Sequence, residues 1–263
     1  MKQQMCRSGE NGSPPLLPPS VALYLDFDGT LADLAARPDA VRVEPSLVAL
    51  LEDLRRHLDG ALAIVSGRPL REIDAFLQPV MLPGAGLHGA ELRFADGCQV
   101  GVPEVAQGAA AAVQALRARF GTDPRLLIED KGPAVALHFR GAPERAEECL
   151  QAARELAGTG PLELVTGKKV VELRPSGIDK GLAVCMLSAS PPFRGRLPVY
   201  VGDDLTDEDG FAAAAALSGF GVKVGEGGTL AQYRCRDVAQ VHVWLRGSIQ
   251  QFARKVPKAT LNG

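Results

Sequence analysis

Acidic and hydroxyl side chains follow short apolar runs at three separate places in the chain. Asp26 and Asp28 follow the first run, Ser66 follows the second, and Asp203 and Asp204 follow the third. If the runs are neighbouring parallel strands, these side chains meet in one crevice at the carboxyl edge of a sheet. That much negative charge calls for a bound cation, and an all-oxygen ligand set favours Mg²⁺ over zinc. The alternative is that each Asp only caps a helix or turns the chain.

The elements that must position these residues follow from the apolar pattern. A helix signal over 44–59, with leucines at helical spacing, separates the runs at 21–25 and 61–65. Strand, helix and strand in this order predict a βαβ unit with parallel strands. The same order returns late in the chain, where a helix beginning near Asp179 precedes the run at 197–201.

The middle of the chain has a different pattern, because its predicted strands alternate apolar and polar residues. We therefore predict a smaller α+β domain at 104–172, inserted into an α/β core formed by 21–103 and 173–263. The polar, proline-rich residues 1–20 are predicted to be a disordered tail. Near the end of the chain we expect a last strand around Val241, followed by a short helix.

Composition excludes several classes of protein. The 263 residues carry 29 Lys and Arg against 31 Asp and Glu, so the net charge of −2 gives no basic field for nucleic acid. No apolar run approaches the roughly 18 residues of a membrane span. Five scattered cysteines without a CxxC pair indicate reduced thiols and a cytoplasmic location. A monomer is expected.

The acidic motifs resemble those of the haloacid dehalogenase superfamily. Residues 26–31 (DFDGTL) match its first motif, and Ser66, Lys180 and residues 202–204 (GDD) match the remaining three in the right order. The resemblance implies a Rossmann-like, doubly wound parallel core, and the insert corresponds to the superfamily's larger, C2-type cap.

The resemblance also implies catalytic roles. Asp26 would be the nucleophile that forms an aspartyl-phosphate, and Asp28 would be the general acid and base. Ser66 and Lys180 would bind and neutralise the phosphoryl group. The Mg²⁺ contacts would be the Asp26 side chain, the Asp28 carbonyl and Asp203, and Asp207 could support the metal from outside.

Further segments resemble the trehalose-6-phosphate phosphatase family, among them SGRP at 66–69, EDK at 129–131 and GKKVVELRP at 167–175. In that family, cap residues grip the distal glucose. This resemblance assigns Glu129, Lys131 and Glu172 in the insert to the sugar. Arg68 and His88 are expected at the rim of the core, where they could orient sugar or phosphate. Asp204 is a further candidate for substrate binding.

The expected function is therefore Mg²⁺-dependent hydrolysis of a small sugar phosphate, trehalose 6-phosphate first. The alternatives are a related phosphatase for sucrose phosphate, mannosylphosphoglycerate or a hexose phosphate, a phosphomutase, and a non-catalytic sugar-phosphate binder. The last would be expected to lack Asp26 or Asp28, and both are present.

Overall fold

The structure of the protein is a computed structural model. It describes residues 12–34, 41–101, 103–158, 161–167 and 169–255. Within these ranges, no helix combines the length and the apolar character that crossing a bilayer requires.

The helices and strands alternate along most of the chain, as the apolar pattern predicts. In chain order they are β1 (Val21–Leu25), α1 (Pro45–His57), β2 (Leu62–Val65), α2 (Leu70–Leu77), β3 (Gly84–Gly86), β4 (Glu91–Arg93), β5 (Gln99–Gly101), α3 (Pro103–Phe120), β6 (Leu127–Asp130), β7 (Val135–His138), α4 (Ala146–Ala157), β8 (Leu162–Gly167), β9 (Val170–Pro175), α5 (Lys180–Ser188), β10 (Leu197–Gly202), α6 (Asp207–Ala216), β11 (Phe220–Val224), β12 (Tyr233–Cys235) and α7 (Val238–Lys255).

The chain divides into two compact units. The core unit comprises Met1–Gln99 and Asp179–Gly263, and the inserted unit comprises Val100–Ile178. The insert thus begins four residues earlier and ends six residues later than the predicted range of 104–172.

The core unit is built on a mostly parallel sheet, which confirms the predicted fold class. Its strand order is β12-β11-β10-β1-β2-β3-β4-β5. The strands from β12 to β3 pair in parallel, and β4 pairs with β3 in the antiparallel direction. All five residues of β1 are buried, as expected for a central strand covered on both faces. Leu25 at the end of β1 is paired with Val201 in β10. This register places the loops that follow the two strands side by side.

The C-terminal region differs from the prediction. The strand expected around Val241 is instead the second turn of α7, and the last strand, β12, comes before it. Buried side chains recur at Val241, Leu245, Ser248 and Phe252, a spacing of three to four residues that lays one face of a helix on the core. Burial of this face over the whole segment decides for a helix.

The predicted tail over 1–20 is wrong for residues 12–20, whereas 1–11 lie outside the described residues. Leu17 is fully buried, and its N–H donates to Ser248 Oγ at 3.1 Å. The Trp244 indole N–H donates to the Pro15 carbonyl at 2.8 Å. The proline-rich composition predicted disorder, but the apolar side chain of Leu17 is buried and its backbone is hydrogen-bonded to α7.

The inserted unit contains a four-stranded antiparallel sheet in the order β6-β7-β9-β8. One face packs on α3 and α4 through a separate apolar core that includes Leu116, Leu137 and Ala152. On the other face, the register sets Glu129, Ala136 and Glu172 in one row across three strands.

Candidate functional site

The carboxyl ends of β1 and β10 bring three carboxylates together in the core unit. Asp26 follows β1, Asp203 follows β10, and Asp207 is the first residue of α6. Each contributes one oxygen to a group whose atoms all lie within 4.8 Å of one another. The two strands run parallel, and Leu25 at the end of β1 is paired with Val201 in β10. The sheet therefore brings Asp26 and Asp203 together although they lie far apart in the sequence.

Lys180 is the buried cation of this group. Its Nζ donates to Asp26 Oδ1 at 2.9 Å and to Asp207 Oδ1 at 2.7 Å, and the residue is 3% exposed. Burial alone would lower the pKa of Lys180, but the carboxylates of Asp26 and Asp207 outweigh it, and the pKa lies above its ordinary value. Lys180 is therefore held as an ammonium group beside Asp26, although it begins a helix, where the dipole disfavours a cation.

Asp207 organises the loop between β10 and α6. Its Oδ1 also accepts from the Tyr200 hydroxyl at 2.8 Å, and its Oδ2 accepts from the backbone N–H groups of Asp203 and Asp204 at 2.8 and 2.9 Å. The side chain is fully buried against Gly202, where a Cβ would overlap it. Asp207 thus uses both oxygens to join the loop, Lys180 and Tyr200.

Asp28 is paired with Arg68 and is not part of this carboxylate group. Arg68 Nε donates to Asp28 Oδ2 at 2.6 Å and Nη2 donates to Oδ1 at 2.8 Å, a two-pronged ion pair. The same guanidinium reaches Glu72 at 3.2 Å and lies 5.2 Å from the centre of the Phe76 ring. Arg68, expected to orient substrate, is therefore the partner of the expected acid and base.

Ser66 and His88 lie beside this pair. Ser66 is buried just after β2, and its Oγ accepts a hydrogen bond from the backbone N–H of Arg68 at 3.1 Å. His88 has a φ of 58° in a tight turn after β3, and its ring covers Gly67, where a Cβ would approach the ring to 2.7 Å. Burial raises the pKa of Asp204, but Lys180, the hydrogen bonds from Thr206 and, last, His88 outweigh it, so the pKa lies below its ordinary value.

The carboxylate group suits a hard divalent cation. Burial raises the pKa of Asp26, the Lys180 ammonium opposes the shift, and Asp207 adds to it, so the net pKa lies well above the ordinary value. Lys180 contributes one positive charge, which does not balance the negative charge of three carboxylates. A divalent cation with oxygen ligands supplies that charge, and the donor set of Asp26, Asp203 and the adjoining loop fits one.

Asp203 is expected to make the binding of a cation at this site dependent on pH. Burial, Asp207 and Asp204 raise the pKa of Asp203 to about 6. Below pH 6 the metal-free protein holds a proton there that the cation must displace, so the apparent affinity for Mg²⁺ is expected to fall as pH falls through 6. Calorimetric titrations in buffers of different ionisation enthalpy should show more proton release at pH 5.5 than at pH 7.5. Equal proton release at the two pH values would contradict this assignment.

The expected sugar-binding residues form a second polar group, wholly inside the inserted unit. His138 Nε2 and Glu129 Oε2 are 2.9 Å apart, and Lys131 Nζ donates to Glu172 Oε2 at 3.2 Å. Glu172 Oε1 is buried and has no hydrogen-bond partner within the described part of the chain. A buried carboxylate oxygen without a donor is costly, and a ligand hydroxyl would satisfy it.

Sequence reasoning missed two residues beside the carboxylates, Tyr200 and Lys223. Both lie inside apolar strands, where a hydroxyl or an ammonium group has to find a buried partner. That requirement is the signal that could have marked them.

The chain is similar to several known proteins. Residues 24–238 match the family model of trehalose-phosphatase. The chain is 40% identical over 235 residues to a trehalose-6-phosphate phosphatase of Escherichia coli strain K12, covering 88% of this chain and 87% of that one. It is 45% identical over 206 residues to a probable trehalose-phosphate phosphatase of Sinorhizobium fredii, covering 78% and 77%. A solved trehalose-6-phosphate phosphatase related protein superposes with a TM-score of 0.72 at 27% identity, covering 89% of this chain and 99% of that one.

Proposed function

The chain belongs to the trehalose-phosphatase family, and on that basis we propose that it hydrolyses trehalose 6-phosphate to trehalose and inorganic phosphate. The observation that carries the proposal is the pairing of Asp26 with the buried Lys180 ammonium at 2.9 Å, beside Asp203 and Asp207. The arrangement keeps a carboxylate beside positive charge at the carboxyl edge of a parallel sheet, where a phosphate ester can approach it.

Asp26 is the nucleophile in this proposal. Lys180 holds its Oδ1, and Oδ2 attacks phosphorus while the bond from phosphorus to the sugar oxygen breaks. Asp28 gives a proton to the departing sugar oxygen and then takes one from the water that hydrolyses the aspartyl-phosphate. The products are trehalose, inorganic phosphate and the original Asp26 carboxylate. Ser66 donates its hydroxyl to a phosphoryl oxygen.

Asp28 has to leave its ion pair to act as an acid. Both of its oxygens accept from Arg68, and neither is free to carry the transferred proton while the two-pronged pair is intact. A phosphate or sugar hydroxyl that draws Arg68 away would release Asp28 as substrate enters. Arg68 and His88 are proposed to orient the substrate, and Arg68 also holds Asp28 until the substrate enters.

Mg²⁺ is the proposed cation, because its oxygen preference matches the donors. The side chains of Asp26 and Asp203 and the carbonyl of Asp28 would hold it, with Asp207 behind them. When bound, it supplies charge neutralisation for the phosphoryl oxygens. Asp204, whose Oδ1 accepts from Thr206 N and Oγ1 at 2.7 Å, is proposed to contact substrate from the same loop.

The distal glucose is assigned to the polar group of the inserted unit, Glu129, Lys131 and Glu172. Carboxylates accept hydrogen bonds from sugar hydroxyls and an ammonium group donates to sugar oxygens, so this set is suited to a disaccharide. A monomeric state and a cytoplasmic location stay predictions from the sequence.

The proposed function is tested by phosphate release from trehalose 6-phosphate, sucrose 6-phosphate and glucose 6-phosphate, with Mg²⁺ and with EDTA. We expect turnover that needs Mg²⁺ and a kcat/KM highest for trehalose 6-phosphate. A preference for another member of the panel would instead favour a related sugar phosphatase. Absence of phosphate release from every substrate would favour a non-catalytic binder.

Glu172→Gln is expected to raise KM for trehalose 6-phosphate by about tenfold, because an amide replaces the oxygen that would accept a sugar hydroxyl. Turnover of p-nitrophenyl phosphate, which has no sugar, should stay within about twofold, because the phosphoryl chemistry lies in the core unit. Glu163→Gln on the same sheet is the control, since Glu163 is paired with Arg174 at 2.7 Å. Equal losses on both substrates would show that Glu172 supports folding and not sugar binding.

A further inference from the structure

Lys223 is a buried cation that the proposed reaction leaves without a role. It lies in β11, is 5% exposed, and is paired in the sheet with Gly202 of β10. Burying an ammonium group is costly unless it is paired, and Lys is among the residues least often fully buried. A lysine retained at this place therefore needs a partner that compensates its burial.

The partner is the loop that carries Asp203. Lys223 Nζ donates a hydrogen bond to the backbone carbonyl of Asp203. Lys223 also acts on the Asp203 side chain, whose carboxylate it stabilises electrostatically together with Lys180. Lys223 is paired with Gly202, which comes just before Asp203, so the register of β10 with β11 places the lysine beside this carbonyl.

Both backbone polar groups of Asp203 are thereby held by buried side chains. Asp207 Oδ2 accepts from the Asp203 N–H at 2.8 Å, and Lys223 occupies the carbonyl. On the remaining side, the Asp203 carboxylate lies against Gly29, where a Cβ would overlap it. The two peptide groups that flank Asp203 are each held by a side chain, and one oxygen of the Asp203 carboxylate lies within 4.8 Å of an oxygen of Asp26.

The formal charge of this edge fits a divalent cation. The four carboxylates at this edge and the two buried lysines leave a net charge of minus two, which one divalent cation balances. The carboxylates are those of Asp26, Asp203, Asp204 and Asp207, and the lysines are Lys180 and Lys223.

We propose that Lys223 is a positioning residue for the cation site, holding the Asp203 carbonyl so that the Asp203 carboxylate is directed at the metal. The inference rests on the proposed function only for the identity of the cation. Groups that orient metal ligands from behind typically contribute a factor of 10 to 100 in metal affinity.

The test is Mg²⁺ binding by calorimetry, without substrate, on Lys223→Met and Lys223→Arg. Lys223→Met removes the donor, and we expect its Kd for Mg²⁺ to rise about tenfold or more. Lys223→Arg keeps a charged donor, and its Kd should stay within about threefold. At saturating Mg²⁺, KM for trehalose 6-phosphate should stay within about twofold in both variants, because the Lys223 ammonium is buried against the Asp203 carbonyl.

Arg234→Met is the matched control. Arg234 is paired with Lys223 in the sheet and donates to the carbonyls of Gly225 and Gly227, away from Asp203. Its loss should leave the Kd for Mg²⁺ unchanged.

An unchanged Kd in Lys223→Met with a lower melting temperature would overturn the proposal in favour of a structural role. A lower Kd would overturn it in favour of simple charge balance, and no Mg²⁺ binding by the wild type would overturn it outright.

If Lys223→Met does not fold, ¹⁵N spectra of the wild type provide a second test. The Nζ signal of Lys223, assigned by its loss in Lys223→Arg, should shift when Mg²⁺ is added, and an unchanged signal would contradict the proposal. A wild type that binds Mg²⁺ but releases no phosphate would defeat the proposed function alone.

Discussion

Asp26→Asn is expected to lower kcat for phosphate release by about 10⁴-fold or more, because an amide oxygen does not displace a sugar oxygen from phosphorus. The fold should survive, since the Asn carbonyl can still accept from Lys180 and Lys180 keeps its 2.7 Å contact with Asp207. The measurement is phosphate release under Mg²⁺ saturation, together with mass spectrometry of acid-quenched protein. The wild type should show the added mass of a phosphoryl group on the peptide that contains residue 26, and the variant should not.

Asp33→Asn is the matched control, because Asp33 is exposed and follows in the same loop. It should retain wild-type turnover. Full activity in Asp26→Asn, or a phosphorylated peptide that does not contain residue 26, would remove the nucleophile from this position.

Asp207→Asn is expected to lower the free energy of unfolding by about 3 kcal/mol and to remove most of the activity. Asp207 accepts four hydrogen bonds, from Lys180, Tyr200 and the N–H groups of Asp203 and Asp204. An amide nitrogen cannot accept, so whichever way the Asn is turned, one pair of buried donors loses its partner. Urea unfolding measures the loss, and phosphate release measures the activity.

Asp204→Asn is the comparison for stability. Its carboxylate accepts from Thr206 at the exposed side of the loop, so its loss should change the free energy of unfolding by about 1 kcal/mol or less. Equal stability losses in the two variants would mean that Asp207 is not the organising residue. A stable but inactive Asp207→Asn protein would assign it to catalysis alone.

The acidic motifs were predictable because each depends on local sequence. An apolar run that ends in Asp26 or Asp203 indicates a buried strand with a carboxylate at its tip, and chain order indicates parallel neighbours. The placement of Lys180 beside Asp26 could be expected only through the family resemblance, because the two residues are 154 positions apart.

Other features depended on contacts that no local pattern encodes. The apolar spacing through Val241 fits a strand over a few residues and a helix over many, and burial against the core chose the helix. Leu17 in a proline-rich segment became part of the core because α7 covers it. In both cases the conformation is stabilised by apolar surface that is buried against residues distant in the sequence.

Residue types and their periodicity along the chain were enough to predict the class of fold, the acidic ends of the strands and the chemistry that those residues can perform. The partners of the side chains had to be seen in the folded protein: Asp28 is paired with Arg68, Asp207 joins Tyr200 to the Asp203 loop, and Lys223 holds that loop from the neighbouring strand. These are matters of register and side-chain direction, and a buried polar atom finds its partner only after the strands have been brought together.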